Sequence, residues 1–273
     1  MRILQVSAEI FPLLKTGGLA DIAGALPAAL QEAGCDVRVM LPGFTAICAG
    51  LEGAAPVGSF AMPWGERVEV VYGTLPALAR EGRTLGAYVL IAPGLYDRPG
   101  NPYEDANKQA YGDNHRRFAA LGLAAAHVAH GLDAQWRPQL VHSHDWHAAL
   151  APASLALWNE GRGPRVPSVY TVHNLAYQGV FGPEHFGDLG LPGRAFHVHG
   201  MEFHGQLSFM KAGLFYANHI TTVSPTYARE IQGPEQGCGL DGLLRARHQH
   251  LSGILNAVDD SVWNPSTDAL IAH

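Results

Sequence analysis

The stretch RILQVSAEIFPLLKTGGLADIAGALPAAL, residues 2–30, decides the fold class of this chain. Its mostly apolar start at residues 2–9 predicts a buried strand, and apolar residues at helical spacing over residues 18–30 predict an amphipathic helix. Pro27 lies inside that helix and is expected to bend or interrupt it, because its ring clashes with the carbonyl group four residues earlier. A strand that leads through a glycine-containing turn into a helix is the first half of a βαβ unit.

The same alternation of strand and helix patterns continues along the chain. A second helix is predicted over residues 114–130, and several strand patterns are almost wholly apolar, which is typical of parallel strands buried on both faces. Further strands are predicted at 36–42, 67–75, 87–93, 139–145, 168–174, 219–224 and 250–258. The sequence therefore predicts an α/β fold, a doubly wound, mostly parallel Rossmann-like sheet with helices on both faces.

Two segments depart from this alternation. Residues 67–75 and 87–93 follow each other closely, so an antiparallel pair is an open alternative to two parallel strands. Residues 182–205 are rich in glycine, proline and histidine and are predicted to form a long loop. Loops of that length in compact domains are often functional.

Composition limits the classes of protein to which the chain can belong. It has 273 residues, of which 47% are hydrophobic and 15% charged, so a substantial core is expected in one large domain or two modest ones. The formal charge of −6 argues against a broad basic face for nucleic acid. Three cysteines without C-x-x-C spacing fit a reducing compartment, and no apolar run is long enough for a membrane span. We therefore expect a cytoplasmic protein with neither nucleic acid nor membrane as a partner.

Residues 15–18, Lys-Thr-Gly-Gly, follow the first strand and precede the first helix. Glycines allow close approach of the backbone, a helix N-terminus favours an anion, and lysine adds a positive charge. The spacing is neither the dinucleotide fingerprint nor the P-loop. A phosphate site and an ordinary turn with a solvated lysine both remain open.

The stretch HSHDWHA, residues 142–148, allows three interpretations. It could bind a metal ion through its imidazoles, although the order differs from that of metallohydrolases; those ligands would be His142, His144 and His147. It could be a strand end at which Asp145 caps the next helix. It could bind a sugar, with Asp145 accepting a hydroxyl group and Trp146 covering an apolar face.

Two more polar positions follow apolar strands. His173 and Asn174 in TVHNLAYQG end one strand, where a buried, hydrogen-bonded histidine is the alternative to a functional one. Asn256 in LNAVD ends the last strand and is open to interpretation as a turn residue. Because ligands gather beyond the carboxyl ends of parallel strands, residues 15–21, 142–147 and 173–174 are expected to form one composite site.

Six motifs, in order, resemble the amino-terminal domain of bacterial glycogen synthase and plant starch synthase. They are KTGGLADIAGALPAAL, LYDRPGNPY, HSHDWHA, TVHNLAYQG, FMKAGLFYANHITTVSPTYARE and LSGILNAVD. The similarity runs from Ile3 to beyond Trp263. The resemblance implies one half of a two-Rossmann-domain (GT-B) retaining glycosyltransferase. Residues 1–273 would be its acceptor-side domain, without the carboxy-terminal nucleotide-binding domain.

The resemblance also implies a reaction. The family transfers glucose from ADP-glucose to the non-reducing 4-hydroxyl of an α-1,4-glucan such as glycogen, with retention, and needs neither a metal nor another cofactor. The chain alone is expected to have little or no transferase activity, because one wall of the cleft is missing. A non-catalytic α-glucan-binding module and a metal-dependent hydrolase are the competing hypotheses.

Roles for individual residues follow from the matched motifs. Asp145 and His173 are implied to be catalytic, and Tyr96 and Trp146 to face the acceptor cleft, although loop anchoring is the alternative for Tyr96. The residues implied to bind ADP-glucose are Lys15, Gly17, Gly18, Asn174 and Asn256. The sequence departs from the family pattern at Ser143, where alanine is common, and at Ala257, where glycine is usual.

Overall fold

The computed structural model describes residues 1–80, 82–158, 165–259, 263–268 and 271. A nine-stranded sheet lies at its centre, and a three-stranded sheet lies beside it. The strands are β1 (Arg2–Val6), β2 (Asp36–Pro42), β3 (Glu52–Ala61), β4 (Arg67–Arg80), β5 (Arg83–Ile91), β6 (Leu140–His144), β7 (Ser168–Val172), β8 (Val180–Phe181), β9 (Glu202–Phe203), β10 (Gln206–Ser208), β11 (His219–Thr222) and β12 (Leu251–Gly253).

Helices occupy most of the connections between strands. They are α1 (Gly18–Glu32), α2 (Thr45–Ala49), α3 (Pro93–Tyr96), α4 (Asn114–Ala129), α5 (Asp145–Ala148), α6 (Leu150–Leu157), α7 (Phe209–Tyr216), α8 (Pro225–Glu230) and α9 (Asp241–Ala246), with 3-10 helices at Pro183–Leu189, Gly193–Ala195 and His248–His250. None of the described helices combines the length and apolar character needed to cross a bilayer.

The strand order of the large sheet is β12-β11-β7-β6-β1-β2-β5-β4-β3. The strands from β12 to β5 pair in parallel, whereas β5 with β4 and β4 with β3 pair antiparallel. This confirms the predicted doubly wound, mostly parallel sheet. It also confirms the antiparallel alternative for the predicted strands 67–75 and 87–93, which correspond to β4 and β5.

The sheet reverses its direction of growth between β1 and β6. The chain runs from β1 to β2 and β5 on one side, then crosses to β6 on the other side and continues to β7 and β11. Since parallel crossovers are right-handed, the reversal places α1 and α4 on opposite faces of the sheet. A reversal of this kind opens a crevice at the carboxyl ends of the two central strands, which is where α/β folds bind ligands.

The core consists of the central strands and of one helix that is buried on nearly all sides. Val6, Val39 and Val141, from three adjacent strands, are at most 1% exposed. Helix α4 packs against α6 and is almost fully buried, which explains its run of alanines. The burial of these apolar surfaces is the main stabilising contribution to the fold.

The structure differs from the sequence expectations in three places. Helix α1 runs from Gly18 to Glu32 with the buried Pro27 inside it, so Pro27 does not interrupt the helix. Strand β3 was missed because it is a bulged edge strand containing Pro56, which an edge strand tolerates. Residues 182–205 are not an unstructured loop but contain two 3-10 helices and β9, which pairs with β10.

Candidate active site

The connection after β1 is fastened to a buried carboxylate. Glu9 is 2% exposed and accepts hydrogen bonds from the backbone N–H and the hydroxyl of Thr16, the latter at 2.6 Å. The hydroxyl of Tyr103 donates to the same carboxylate. Glu9 therefore fixes the lysine-and-glycine loop against the segment that precedes α4.

The N-terminus of α1 is formed by Gly17 and Gly18, and no side chain among the described residues caps it. A Cβ atom added at either glycine would meet no heavy atom within 4 Å. Packing against the residues that the structure describes therefore does not require glycine here. The glycines keep the space above the helix N-terminus open to a bound group, and that position favours an anion.

Lys15 lies at the same end of α1. Its Nζ atom donates to both carboxylate oxygens of Asp21 at 2.8 and 2.7 Å, and its side chain is 37% exposed. The Nζ atom also lies 5.5 Å from the centre of the Phe11 ring and 5.8 Å from that of Trp263. The lysine is thus held beside the helix N-terminus rather than extended into solvent.

Asp145 follows β6 directly and has a strained backbone, with φ of 54°. Its Oδ1 atom accepts the backbone N–H of His173 at 2.7 Å and that of Asn174 at 3.4 Å. The predicted helix-capping role is wrong, since His144 occupies the cap position of α5 and no side-chain hydrogen bond caps that helix. A non-glycine residue in the left-handed region is kept only where the surrounding structure demands it, and such positions cluster at functional sites.

Burial raises the pKa of Asp145 to about 7. The two backbone hydrogen bonds from His173 and Asn174 lower it, and the negative charge of Glu9 raises it further. The carboxylate after β6 and the carboxylate that holds the loop after β1 are therefore electrostatically coupled. The charge of Glu9, after β1, thus acts on Asp145, after β6.

The histidines around Asp145 form a buried hydrogen-bonded group. His144 Nδ1 lies 3.0 Å from His173 Nε2, and His142 Nε2 lies 2.7 Å from the hydroxyl of Thr171. Burial lowers the pKa of His142 and of His173 to about 4, so both imidazoles are neutral at pH 7. His147 stacks on Tyr103 with ring centres 4.6 Å apart, and burial lowers its pKa to about 3.

The metal interpretation of this stretch is not supported by the described residues. The ring nitrogen of His142 lies beside the hydroxyl of Thr171, whereas that of His144 lies beside the ring of His173. His147, which is on α5, stacks on the ring of Tyr103. In the part of the chain that the structure describes, one group of three donors converges closely enough for a metal ion, and it lies elsewhere; its members are His115, His185 and Asp188.

Tyr96 lies in the core rather than at a cleft. It is 2% exposed, its hydroxyl donates to the carbonyl of Arg117 at 2.7 Å, and its ring meets Phe44 edge-on. The anchoring alternative is therefore the correct one for this residue. The expectation that it faces the acceptor is wrong, because it offers no surface to a ligand.

Trp146 is half-buried within a cluster of aromatic rings. Its ring meets Phe118 at 4.8 Å, and the backbone of Gly179 packs so closely that an added Cβ atom would lie 2.3 Å from the ring. Gly179 therefore occupies one face of the indole. Packing accounts for most of what Trp146 contacts.

Asn256 is exposed in the segment that leaves β12. The next residue, Ala257, lines a cavity of about 530 Å³ together with Asp21, Arg80 and Trp263. The segment after β12 therefore reaches the first turns of α1, beside the lysine loop. Asn256 itself does not line this cavity, and its implied contact with ADP-glucose stays a prediction.

Sequence reasoning missed Glu9, Thr16 and the role of Tyr103. Glu9 was visible as a charged residue at the end of an apolar run, which is an unusual place for a carboxylate that has no partner. Its partner Tyr103 is 94 positions away, so the pairing itself has no sequence signal.

Comparison with known proteins assigns the chain to a family. Residues 2–246 match the family described as starch synthase catalytic domain. The chain belongs to that family.

Curated relatives are named glycogen synthase. The protein from Variovorax paradoxus (strain S110) is 64% identical over 274 residues, covering 100% of this chain and 55% of that protein. The one from Edwardsiella ictaluri (strain 93-146) is 56% identical over 275 residues, again with 100% and 55% coverage. The chain therefore spans about half the length of the curated relatives it matches.

A solved structure of the starch synthase family agrees with the fold. The catalytic domain of starch synthase IV from Arabidopsis thaliana, bound to ADP and acarbose, superposes with a TM-score of 0.82 at 27% sequence identity. The match covers 99% of this chain and 54% of that one. The Rossmann-like sheet described above thus corresponds to about half of that catalytic domain.

Proposed function

We propose that the full-length protein transfers glucose from ADP-glucose to the non-reducing 4-hydroxyl of an α-1,4-glucan, with retention of configuration. Residues 1–273 would form its amino-terminal, acceptor-side domain. The observation that carries this proposal is the crevice at the reversal between β1 and β6, where the lysine loop and Asp145 both emerge. Membership of the starch synthase family supplies the reaction.

The loop after β1 would bind the diphosphate of the donor. The open space above Gly17 and Gly18 would admit a phosphate to the N-terminus of α1. The Lys15 ammonium, which is bound to Asp21 of the same helix, would share its charge with that phosphate. Negative charge grows on the diphosphate as the bond to the sugar breaks. Positive groups placed there beforehand stabilise the transition state more than the ground state.

The residues after β6 and β7 would hold the sugar. The backbone N–H groups of His173 and Asn174 both donate to Asp145 Oδ1. The other carboxylate oxygen, Oδ2, would accept a hydrogen bond from a glucose hydroxyl. The hydrogen bond to Oδ1 places the backbone of His173 next to Asp145. Asn174 is exposed at the crevice and would contact the donor.

Retention would proceed by attack on the face from which the diphosphate departs. The bond between the anomeric carbon and the phosphate oxygen breaks, and a bond to the acceptor 4-oxygen forms on the same face. The acceptor proton passes to the leaving phosphate. No side chain is then required as a covalent nucleophile.

A second domain outside residues 1–273 would form the opposite wall and bind the nucleotide. Relatives about twice as long support this division. Transfer requires both substrates to be held in reacting geometry, so one wall alone should give little or no turnover.

The test compares two functions. The full-length protein should convert ADP-glucose and maltooligosaccharide into a longer α-1,4-glucan, with the new glycosidic bond in the α configuration by NMR. A non-catalytic glucan-binding module would bind maltooligosaccharide in a calorimetric titration but neither bind ADP-glucose nor extend the chain. That second result would refute the proposal.

A further inference from the structure

A cluster outside the crevice brings together two imidazoles and a carboxylate from distant parts of the chain. His115 lies at the start of α4, while His185 and Asp188 lie on the 3-10 helix Pro183–Leu189. One donor atom from each residue lies within 4.8 Å of the other two. His115 Nε2 is 3.1 Å from Asp188 Oδ2, and the two imidazole rings stack with centres 3.9 Å apart.

The local fold explains why these three side chains meet. A 3-10 helix has three residues per turn, so side chains three positions apart lie on one face. His185 and Asp188 have this spacing and both face the first turn of α4. The His115 side chain is only 4% exposed and is therefore held in place before any ligand binds. The other two side chains are 36% and 20% exposed, which gives solvent access to the cluster.

We propose that His115, His185 and Asp188 form a binding site for a divalent transition-metal ion, with Zn²⁺ as the representative. Two imidazole nitrogens and one carboxylate oxygen are the donor set of zinc sites that keep an open coordination position. Mg²⁺ and Ca²⁺ prefer all-oxygen ligands and would bind poorly. The bound ion would fasten the 3-10 helix to α4 and so stabilise the segment that follows β8.

A metal ion would change the hydrogen bonding of His115. Its Nε2 atom lies 3.1 Å from Asp188 Oδ2, and a carboxylate oxygen accepts, so Nε2 carries the proton in the absence of the ion. The Nδ1 atom of His115 is buried without a partner among the described residues. Nε2 therefore binds a metal ion only after its proton moves to Nδ1.

Arg116 competes with the ion. Its Nε atom donates to Asp188 Oδ2 at 2.7 Å, which is the oxygen nearest to His115. A metal ion must displace this hydrogen bond and tolerate the adjacent guanidinium charge. Removing Arg116 should therefore tighten metal binding. A cluster that served only as an ion pair and hydrogen-bond network would predict no such gain.

The test is a calorimetric titration of metal-free, full-length protein with ZnCl₂, accompanied by the visible absorption spectrum of the Co²⁺-loaded protein. We expect one Zn²⁺ per chain, a rise of the thermal transition on loading, and Co²⁺ bands typical of four- or five-coordination. Mg²⁺ should give none of these. H185Q and D188N should each weaken binding at least tenfold, whereas R116Q should tighten it at least threefold.

The matched control is the double variant His197→Gln with His199→Gln, which removes an exposed histidine pair with rings 5.6 Å apart. It should bind Zn²⁺ as the unaltered protein does. Zn²⁺ binding that H185Q and D188N leave unchanged would overturn the proposal, as would the absence of stoichiometric binding. Glucose transfer is not a readout, so failure here leaves the proposed function untouched.

Discussion

Asp145 Oδ1 accepts the backbone N–H of His173 at 2.7 Å, which joins the ends of the adjacent parallel strands β6 and β7. The same aspartate has a left-handed backbone and a pKa raised to about 7 by burial. A strained, buried carboxylate that is tied to the next strand end is expensive to maintain. Strained positions of this kind cluster at functional sites, which supports the proposed role of Asp145 in binding the sugar.

Asp145→Asn in the full-length protein tests that function. Asparagine keeps an oxygen that can accept the N–H of His173, so the unfolding transition should change little. Loss of one pre-placed electrostatic contact to the reacting sugar should lower the transfer rate by about 10²–10³-fold. The measurement is steady-state transfer from ADP-glucose.

The control is Asp36→Asn at the opposite end of the sheet, where the carboxylate accepts the indole N–H of Trp136 at 2.7 Å. It should transfer glucose at the normal rate. Equal rates for the Asp145 and Asp36 variants would remove Asp145 from the mechanism.

Two glycines of α1 should respond differently to alanine. A Cβ atom at Gly24 would lie 2.3 Å from the carbonyl oxygen of Phe11, so G24A should lower the free energy of unfolding by about 1–3 kcal/mol. A Cβ atom at Gly18 meets no atom of the described residues within 4 Å, so G18A should leave stability unchanged within about 0.5 kcal/mol. G18A should nevertheless raise KM for ADP-glucose, because the methyl group enters the proposed phosphate position. Urea unfolding measures the stability of both variants, and steady-state kinetics measure KM for ADP-glucose. A normal KM for G18A would mean that the diphosphate does not bind beside Gly18.

Glu9→Gln tests the link between the two sides of the crevice. The carboxylate accepts three hydrogen bonds from Thr16 and Tyr103, and an amide group must turn its NH₂ towards at least one of these donors. The variant should lose about 1–3 kcal/mol of unfolding free energy. The pKa of Asp145 should also fall below about 7, since the negative charge of Glu9 contributes to raising it.

Carboxyl carbon NMR of labelled aspartate follows that pKa, and Glu32→Gln on the exposed last turn of α1 is the matched control. An unchanged Asp145 titration in the Glu9 variant, with the fold intact, would show that the two carboxylates are not coupled.

The buried histidines should make stability depend on pH. His147 has a pKa of about 3 in the folded protein, well below the ordinary value of 6.5 that applies to the unfolded chain. Between these values the unfolded state binds the extra proton, so the free energy of unfolding falls as the pH is lowered from 6.5. One such group contributes a slope of about 1.4 kcal/mol per pH unit.

His147→Gln removes that contribution and should flatten the dependence between pH 4 and 6, as measured by urea unfolding. His199→Gln, at an exposed position, should leave the slope as it is. Parallel slopes for the His147 variant and the unaltered protein would mean that His147 is not buried as a neutral ring.

The sequence predicted the sheet well because burial on both faces leaves an apolar pattern in each parallel strand. Strand β3 left no such pattern, since it is a bulged edge strand whose residues are largely exposed. The polar residues at the strand ends were also predicted, because parallel topology brings those ends together. The contacts that join them were not, since Glu9 and Tyr103 meet only after the chain has folded across 94 positions.

The placement of aromatic residues was the weakest part of the prediction. A tyrosine in a turn can face a ligand or the core, and the sequence around Tyr96 is compatible with both. In the structure the Tyr96 hydroxyl donates a hydrogen bond to the buried carbonyl of Arg117, so the ring lies in the core. The cluster of His115, His185 and Asp188 could not be predicted from the sequence, because His115 and Asp188 are 73 positions apart and meet only in the folded chain.

The central claim is that the loop after β1 and the ends of β6 and β7 bind one donor molecule. A crystal structure of the full-length protein with ADP-glucose tests it most directly. We expect the diphosphate within hydrogen-bond distance of the backbone of Gly18 and of Lys15 Nζ, with a glucose hydroxyl on Asp145 Oδ2. A donor whose diphosphate lies away from the N-terminus of α1, or whose glucose does not touch Asp145, would contradict the account.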